Sequence, residues 1–543
     1  MNVVISYYID GNAVESNAPE TDAYEMSTVT EGSRTRVMLK TKRPLKLKAA
    51  YIVEPYVYES GSMVFVNGYQ SWTETREYDS RTWLHSLDRV ADPLVEKYHF
   101  REYGDSWFVK YDRNCFHGFT YSYVRHTTGL ADLWGSYNEE NAFLIIRHEK
   151  DKGRVVLQSD VQGRVVNGKF PLFDYVKLSG EVFDIQEKYF AEYGTCDAKP
   201  LRGYTSWYND YQDISEEKLL KALAGIDKEK YDLFQIDDGY ETFVGDWLDI
   251  DKEKFPNGLK GLVDKIHEKG LLAGIWLAPF VAELKSRVVK EHPDWIRKKK
   301  GGNVFAGCNW SGDVVLDIRK SEVREYIRKA LEYYMYMGFD FFKLDFLYAA
   351  ALCVGDGMRT RAEAMRQAMQ FLREILKDKL ILGCGVPLSS AFNLVEYCRV
   401  GPDLGLDRDD RMYMRFMHRE RVSTKTTVQN TIYRHAMDGH VFRCDPDVYL
   451  LRDDNIKLIK RQKEAIVTID HLFGALYLTS DNVAEYDPEK LAVLREAQKL
   501  SGARVIDIIR RGSKGPFIDI IYELEGRRHA LRYNWLAVTL EKL

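Results

Sequence analysis

The chain lacks any apolar run approaching the roughly 20 residues that a membrane-spanning helix needs, so no membrane partner is expected. Its first residues, Met1-Asn2-Val3-Val4-Ile5-Ser6-Tyr7, hold no positive stretch leading into a long apolar one, and no secretory signal is expected. Charge of one sign is also missing. There are 78 Lys and Arg against 82 Asp and Glu, a net charge of −4. Without a basic stripe, no nucleic-acid partner is expected. Cysteine is scarce, with 7 scattered over 543 residues. An odd, dispersed set fits the reduced thiols of a cytoplasmic protein better than a disulfide framework. No Cys-x-x-Cys pair or histidine cluster has zinc spacing.

What is present is a soluble composition, 45% hydrophobic and 29% charged, able to bury a large core. At 543 residues the chain suits two or three domains. Aromatics are plentiful: 35 Tyr, 25 Phe and 10 Trp. Aromatic faces pack well on the apolar face of a sugar ring, but large β-sheets favour the same residues.

Residues 1–190 read as β. Runs such as 62–66, 107–111, 142–146 and 154–157 alternate or are rich in β-branched and aromatic residues, and Asn67-Gly68 and Asn167-Gly168 supply turns. Short strands without intervening helices imply a sandwich. Over 191–484 the pattern changes to apolar runs alternating with amphipathic helices. Strands are expected at 204–208, 233–238, 272–277, 341–346, 380–384, 398–403, 440–444 and 475–479. Helices are expected from Ser215, then over 258–269, 321–337, 360–377 and 389–396. Eight such strands in one chain predict an α/β protein built on a central (β/α)8 TIM barrel. Residues 485–543 return to β, as a small C-terminal sheet.

In such a barrel the C-terminal strand ends carry the site. Those ends present Trp207 and Tyr208, Asp237 and Asp238, Trp276, Lys343 and Asp345, Cys384, Arg399 and Asp403. Two carboxylates on one barrel face is the arrangement that glycosidic bond cleavage needs. Lys343 and Asp345, two apart in a strand, share a face. Their pairing either keeps a nucleophile ionised or is a buried ion pair that braces the barrel. Arg399 and Asp403 are open to the same two readings. Asp237-Asp238 before Gly239 either binds hydroxyls or caps a turn, and metal binding is weaker for want of further acids nearby. The two tryptophans could be packing residues. Cys384 lacks an obvious activating histidine and reads as a small wall residue. Asn67-Gly68-Tyr69-Gln70-Ser71-Trp72 could be a hairpin turn with an exposed Trp.

Taken in order, the motifs Asn67-Gly68-Tyr69-Gln70-Ser71-Trp72, Trp207-Tyr208, Phe234-Gln235-Ile236-Asp237-Asp238-Gly239, Gly274-Ile275-Trp276-Leu277-Ala278-Pro279-Phe280, Lys343-Leu344-Asp345, Gly383-Cys384-Gly385 and Arg399-Val400-Gly401-Pro402-Asp403 resemble those of the family 36 glycoside hydrolases, the α-galactosidases or melibiases of clan D. The resemblance runs over nearly the whole chain. It implies an N-terminal β-supersandwich, the barrel and a small C-terminal β-sandwich domain. It also implies a retaining, exo-acting α-galactosidase on small carbohydrates, with no metal or organic cofactor. By the same resemblance Asp345 is the nucleophile and Asp403 the acid/base, their carboxyls about 5–5.5 Å apart. Asp237 and Asp238 would take the galactose 4- and 6-hydroxyls. Lys343 and Arg399 would hold ring hydroxyls, with Cys384 near the 2-hydroxyl. Trp276 would line the pocket and Trp72 would close it from the N-terminal domain. Where many larger members carry Asn and Arg after the nucleophile, this chain has Phe346-Leu347-Tyr348-Ala349, and Leu404–Asp410 is unusually charged. The rival readings are an α-N-acetylgalactosaminidase, a transglycosylase and a non-catalytic sugar-binding barrel.

Overall fold

The computed structural model describes residues 2–82, 84, 92–112, 114–299, 302–410, 422–511 and 515–543. Its first part is two seven-stranded antiparallel sheets. One includes Asn2–Ile9, Leu45–Pro55, Arg154–Ser159, Leu144–Glu149 and Cys115–Phe119; the other includes Arg34–Thr41, Lys169–Glu181, Leu130–Ser136, Tyr121–Arg125 and Met63–Val66. Strand alternation explains why the second sheet is apolar on both faces. Val64, Val124 and Trp134 enter the core between the two sheets. Their neighbours Phe65, Tyr123 and Leu133 face the opposite way, into the core shared with the barrel.

The barrel strands are β1 (Leu201–Thr205), β2 (Leu233–Ile236), β3 (Leu272–Leu277), β4 (Phe341–Leu344), β5 (Leu380–Gly383), β6 (Tyr397–Arg399), β7 (Arg443–Asp445) and β8 (Leu476–Thr479). They pair in parallel in the order β7-β6-β5-β4-β3-β2-β1-β8. The seam between β7 and β8 is joined by Ala475 N–H donating to Cys444 O at 2.9 Å and Tyr449 N–H to Leu478 O at 3.1 Å. The helices from Ser215 and over 258–269, 321–337 and 360–377 fall where apolar periodicity places them, whereas the one expected over 389–396 is a single turn, Leu388–Ala391. Ser215 caps Glu216–Gly225, its Oγ accepting from Lys218 N. Ser321–Met337 ends on Gly338, whose φ of 103° a side chain would strain, and the chain then turns into β4.

The chain ends in one four-stranded antiparallel sheet, Arg504–Arg511 to Thr539–Lys542. Among the described residues it has no second sheet stacked on it. Instead it lies against the helix Lys460–Phe473, where Gln462 Nε2 donates to Ala537 O at 2.9 Å. Two local expectations fail. The stretch 107–111 is no strand. Asp105 accepts from Tyr69 N at 2.8 Å and starts a single turn, Asp105–Trp107, which lets Phe108 pack on Tyr69 and Phe119. β1 stops at Thr205 and Trp207–Asp210 is helical, because Ser480 Oγ takes Tyr208 N and donates to Thr205 O.

One side chain fastens the loop 67–71 of the N-terminal region to the barrel at four points. Arg434, fully buried, donates to Asn67 Oδ1 and to the carbonyls of Gly68, Gln70, Ser71 and Val400 at 2.6–3.3 Å. It has no carboxylate among these partners, and burial pulls its guanidinium down to about 10. Around it, Asn430 Nδ2 and Oδ1 hold Thr73 O and Thr75 N, and Ser71 N donates to Val386 O. An aliphatic residue at 434 would leave several buried carbonyls unmet, at about 1–3 kcal/mol each. Arg434→Leu is therefore expected to lose at least about 3 kcal/mol of stability, and Arg434→Lys to recover only part of it. Thermal or urea unfolding checks this, and an unchanged midpoint in Arg434→Leu would show that the docking does not depend on this fork.

Candidate active site

The C-terminal strand ends open into a cavity of about 680 Å³. Its lining contains Asp237, Asp238, Trp276, Lys343, Asp345 and Asp403, with Trp207 on one side and Trp72 from the N-terminal β region on another. Eight of the eleven side chains singled out from the sequence thus meet in one space. Tyr208, Cys384 and Arg399 do not line it. They stand directly behind, each buried. Burial holds the Cys384 thiol well above its ordinary range, in keeping with a wall residue.

Each carboxylate has a distinct environment. Asp345 follows β4, and its N–H donates to Leu277 O. Its Oδ2 accepts from Trp276 Nε1 at 3.1 Å and its Oδ1 from Phe346 N at 2.8 Å. The second bond requires the left-handed turn at Phe346, φ 53°. Asp403 follows β6 and leans into the cavity with its side chain 33% exposed, 3.2 Å from Arg399 Nη1. Desolvation in the cleft raises its carboxyl above the ordinary range; Arg399 and Lys343 oppose this, while Asp345 and Asp237 add to it.

The Lys343–Asp345 ion pair expected from their strand spacing does not form. Lys343 Nζ reaches across the barrel mouth to Asp237 Oδ2 at 2.8 Å. Burial and Arg399 work against that ammonium, but Asp237, Asp345 and Cys384 together hold Lys343 above its usual value. Asp237 Oδ2 also accepts from Gln235 Nε2, and its backbone N–H is held by Ser206 Oγ. Asp238 accepts from Gln212 Nε2 and from Trp310 Nε1, the latter at 2.9 Å. Burial raises the Asp238 carboxyl, and the neighbouring Glu241 is raised well above its range by the same cause and by Asp238. Among the described residues no group of three or more His, Cys, Asp or Glu side chains is arranged to hold a metal ion.

The sequence reading missed several wall residues: Phe100 and Tyr103 from the N-terminal region, Tyr211 and Gln212 after β1, and Asn309 and Trp310 between β3 and β4; of the two segments it singled out as departures, Phe346, Gly405, Leu406, Asp407 and Asp409 line the wall. Trp310 carried one signal, a tryptophan inside the polar turn Asn309-Trp310-Ser311-Gly312. It sits at φ 50° and packs on Phe346 and Trp276.

The fold and cavity define a (β/α)8 barrel with a carboxylate-lined, aromatic-walled pocket, an architecture suited to cleaving glycosidic bonds. Comparison with known proteins agrees. Residues 195–372 match the Melibiase family model. α-Galactosidase Mel36A of Lactobacillus acidophilus is 33% identical over 129 residues, 22% of this chain and 17% of that protein. α-Xylosidase XylQ of Lactiplantibacillus pentosus is 30% identical over 180 residues, 32% of this chain and 23% of that one. The match thus spans about a fifth of the length of these curated relatives. Among solved structures, TtGalA, an α-galactosidase from Thermus thermophilus in complex with p-nitrophenyl α-D-galactopyranoside, superposes with a TM-score of 0.71 at 23% identity, covering 93% of this chain and 98% of that one. The sequence likeness to the Melibiase family thus lies within residues 195–372, and the superposition shows that the chain shares the fold of TtGalA.

The Trp72 indole is the most constrained element of the wall. It stands edge-on to Phe346 and Tyr348, with ring centroids at 5.2 and 5.6 Å. It fits only because residue 385 is glycine: a Cβ there would lie 2.8 Å from the indole, at φ +55°. Gly385→Ala is expected to push Trp72 off its seat and to cost about 1–3 kcal/mol. Tryptophan fluorescence and the unfolding midpoint read this, and both unchanged would mean that the indole has room to spare.

Proposed function

We propose that this chain is a retaining, exo-acting α-galactosidase that hydrolyses terminal α-linked galactose from oligosaccharides. The observation that carries the reading is the contrast between two carboxyls in one cavity. Asp345 has each oxygen already accepting an N–H, which suits an anion poised to attack. Asp403 is raised by burial, which suits a carboxyl that must carry a proton. In the first step Asp345 attacks the anomeric carbon. The bond to the aglycone oxygen breaks, and that oxygen takes the proton of Asp403. In the second step Asp403 takes a proton from water, whose oxygen attacks the anomeric carbon and releases Asp345. Two displacements keep the configuration.

The neighbouring groups fit hydroxyl recognition. The Asp237–Lys343 pair offers an acceptor and a donor side by side, and Asp238 lies beside the Trp310 and Gln212 donors. Trp72, Trp207 and Trp276 offer apolar faces in the same cavity. Arg399, Tyr208 and Cys384 act from behind the wall. Relatives with this fold bind such sugars: TtGalA has also been solved with stachyose.

Asp345→Ala is expected to lose turnover by several decades while remaining folded, and azide to restore part of it with an inverted product. NMR of the released anomer checks this, and near-native turnover in the variant would remove Asp345 from the nucleophile role.

A panel of p-nitrophenyl α-glycosides tests the sugar. The α-galactoside is expected to be turned over fastest, ahead of the α-xyloside, the α-N-acetylgalactosaminide and the α-glucoside. A faster α-xyloside or α-N-acetylgalactosaminide would reassign the glycone. Binding without turnover of any member would reduce the site to a sugar-binding one.

A further inference from the structure

Behind Asp403 lies an ionic cluster that the reaction above leaves unused. Arg399, at the end of β6, is surrounded by three carboxylates. Its Nε lies 2.7 Å from Asp445 Oδ2, its Nη2 2.8 Å from Asp447 Oδ1 and its Nη1 3.2 Å from Asp403 Oδ1. Arg399, Asp445 and Asp447 are all but fully buried. Three carboxylates against one guanidinium leave excess negative charge in a place where water cannot screen it. Such an arrangement persists only if one carboxyl holds a proton.

Asp447 is tied to the acid/base in two further ways. Its Oδ2 accepts from the backbone N–H of Leu404, the residue after Asp403, at 2.7 Å, and from the Tyr208 hydroxyl. Its own backbone sits at φ 92°, a conformation that an aspartate adopts at a cost of about 1–3 kcal/mol. The strained turn Asp445-Pro446-Asp447 is held by Asp447 N–H donating to Asp445 Oδ1 at 2.9 Å. The strain aims both carboxylates at Arg399.

We propose that Asp447 is a positioning residue for the acid/base: it shares the charge of Arg399 with Asp445 and Asp403 and fixes Leu404, so that Asp403 stays beside the guanidinium without being locked into the ionised form. A one-to-one Arg399–Asp403 pair would hold the carboxylate ionised and make a poor acid. The inference rests on the acid/base reading of Asp403. Burial pushes the Asp447 carboxyl up to about 7, with Arg399 opposing and Asp403 and Asp445 reinforcing, so two carboxyls on one guanidinium titrate as a pair. The other groups facing this pair are Tyr208 and Tyr211 after β1, Asp237 after β2, Lys343 and Asp345 on β4, Cys384 after β5, and Asp470 on the helix Lys460–Phe473.

The sign follows from charge. Removing the negative charge at 447 leaves more of Arg399's field on Asp403, which then ionises at lower pH. In Asp447→Asn the alkaline limb of the kcat/KM profile on a p-nitrophenyl α-galactoside is expected to move down by about one pH unit, with the acid limb unmoved. Tyr208→Phe keeps the ring packing but drops the hydroxyl bond, so Asp447 holds its proton more tightly. The limb should move in the same direction by less. A brace that merely closed the barrel would lower stability and activity at every pH without moving either limb. The ¹³Cγ signal of Asp403, assigned with Asp403→Asn, is followed in the wild-type and variant proteins, and it reads the same shift without turnover. A wild type that turns over no α-glycoside sinks the functional reading, and the carboxyl titration then decides the electrostatic coupling alone. An Asp403 titration unchanged in both folded variants overturns the proposal.

Discussion

The loop that closes the cavity is fixed by a buried guanidinium. Arg434 holds four backbone carbonyls and one side-chain amide, and four of those five acceptors belong to the loop 67–71. A carboxylate partner would have neutralised the charge but fixed one point only. Carbonyl acceptors fix the course of a loop, because each partial negative charge has a set direction. The loop needs that constraint. It carries Trp72 to the rim, and the same β region supplies Phe100 and Tyr103. A barrel alone would present an open bowl of carboxylates. With the N-terminal sheets docked, the bowl gains an aromatic wall, and a drier site strengthens every charged contact inside it.

Within the site, charge is arranged in unequal sets. Lys343 with Asp237 is nearly one-to-one, and this ammonium is held charged. Arg399 faces three carboxylates, and the carboxyls of Asp403 and Asp447 are raised. The same barrel mouth thus holds a retained ammonium and, a few strands on, carboxyls that retain a proton. In the proposed reaction the acid Asp403 uses the second environment, while Asp345 takes its donors from Trp276 and Phe346 instead of from Lys343.

Much of this was legible in the sequence, in elements where local signals act alone. Apolar periodicity placed the helix Ser321–Met337 and the capping serine placed the helix after Ser215, because those signals are read within one or two turns. Strand ends gave the carboxylates, since a parallel barrel delivers all of them to one face. What was not legible depends on other strands. Lys343 and Asp345 share a strand, yet Lys343 pairs with Asp237, over a hundred residues away. Asp445 and Asp447 follow the strand expected at 440–444 and drew no reading of their own, and only the parallel pairing of β6 with β7 brings them to Arg399. Trp207-Tyr208 read as strand from its aromatics, but Ser480 on the neighbouring strand's exit captures the Tyr208 N–H and turns the chain. Trp310 and Gln212 sit in loops whose course no local periodicity sets.

Phe346 joins these threads. It occupies a left-handed turn that costs about 1–2 kcal/mol. The turn lets Asp345 Oδ1 accept the Phe346 N–H, so backbone strain is coupled to the orientation of the Asp345 carboxylate. The ring it projects meets Trp72 and Trp310 at once. Those contacts bury apolar surface that offsets the strain, and the one with Trp72 exists only while the N-terminal loop is docked. The geometry of Asp345, the proposed nucleophile, is therefore secured partly by a residue from another region of the chain, through the indole that Gly385 admits and the loop that Arg434 holds. A change in that docking would reach Asp345 without touching the barrel, which is why the N-terminal sheets belong to the active site and not merely to the scaffold.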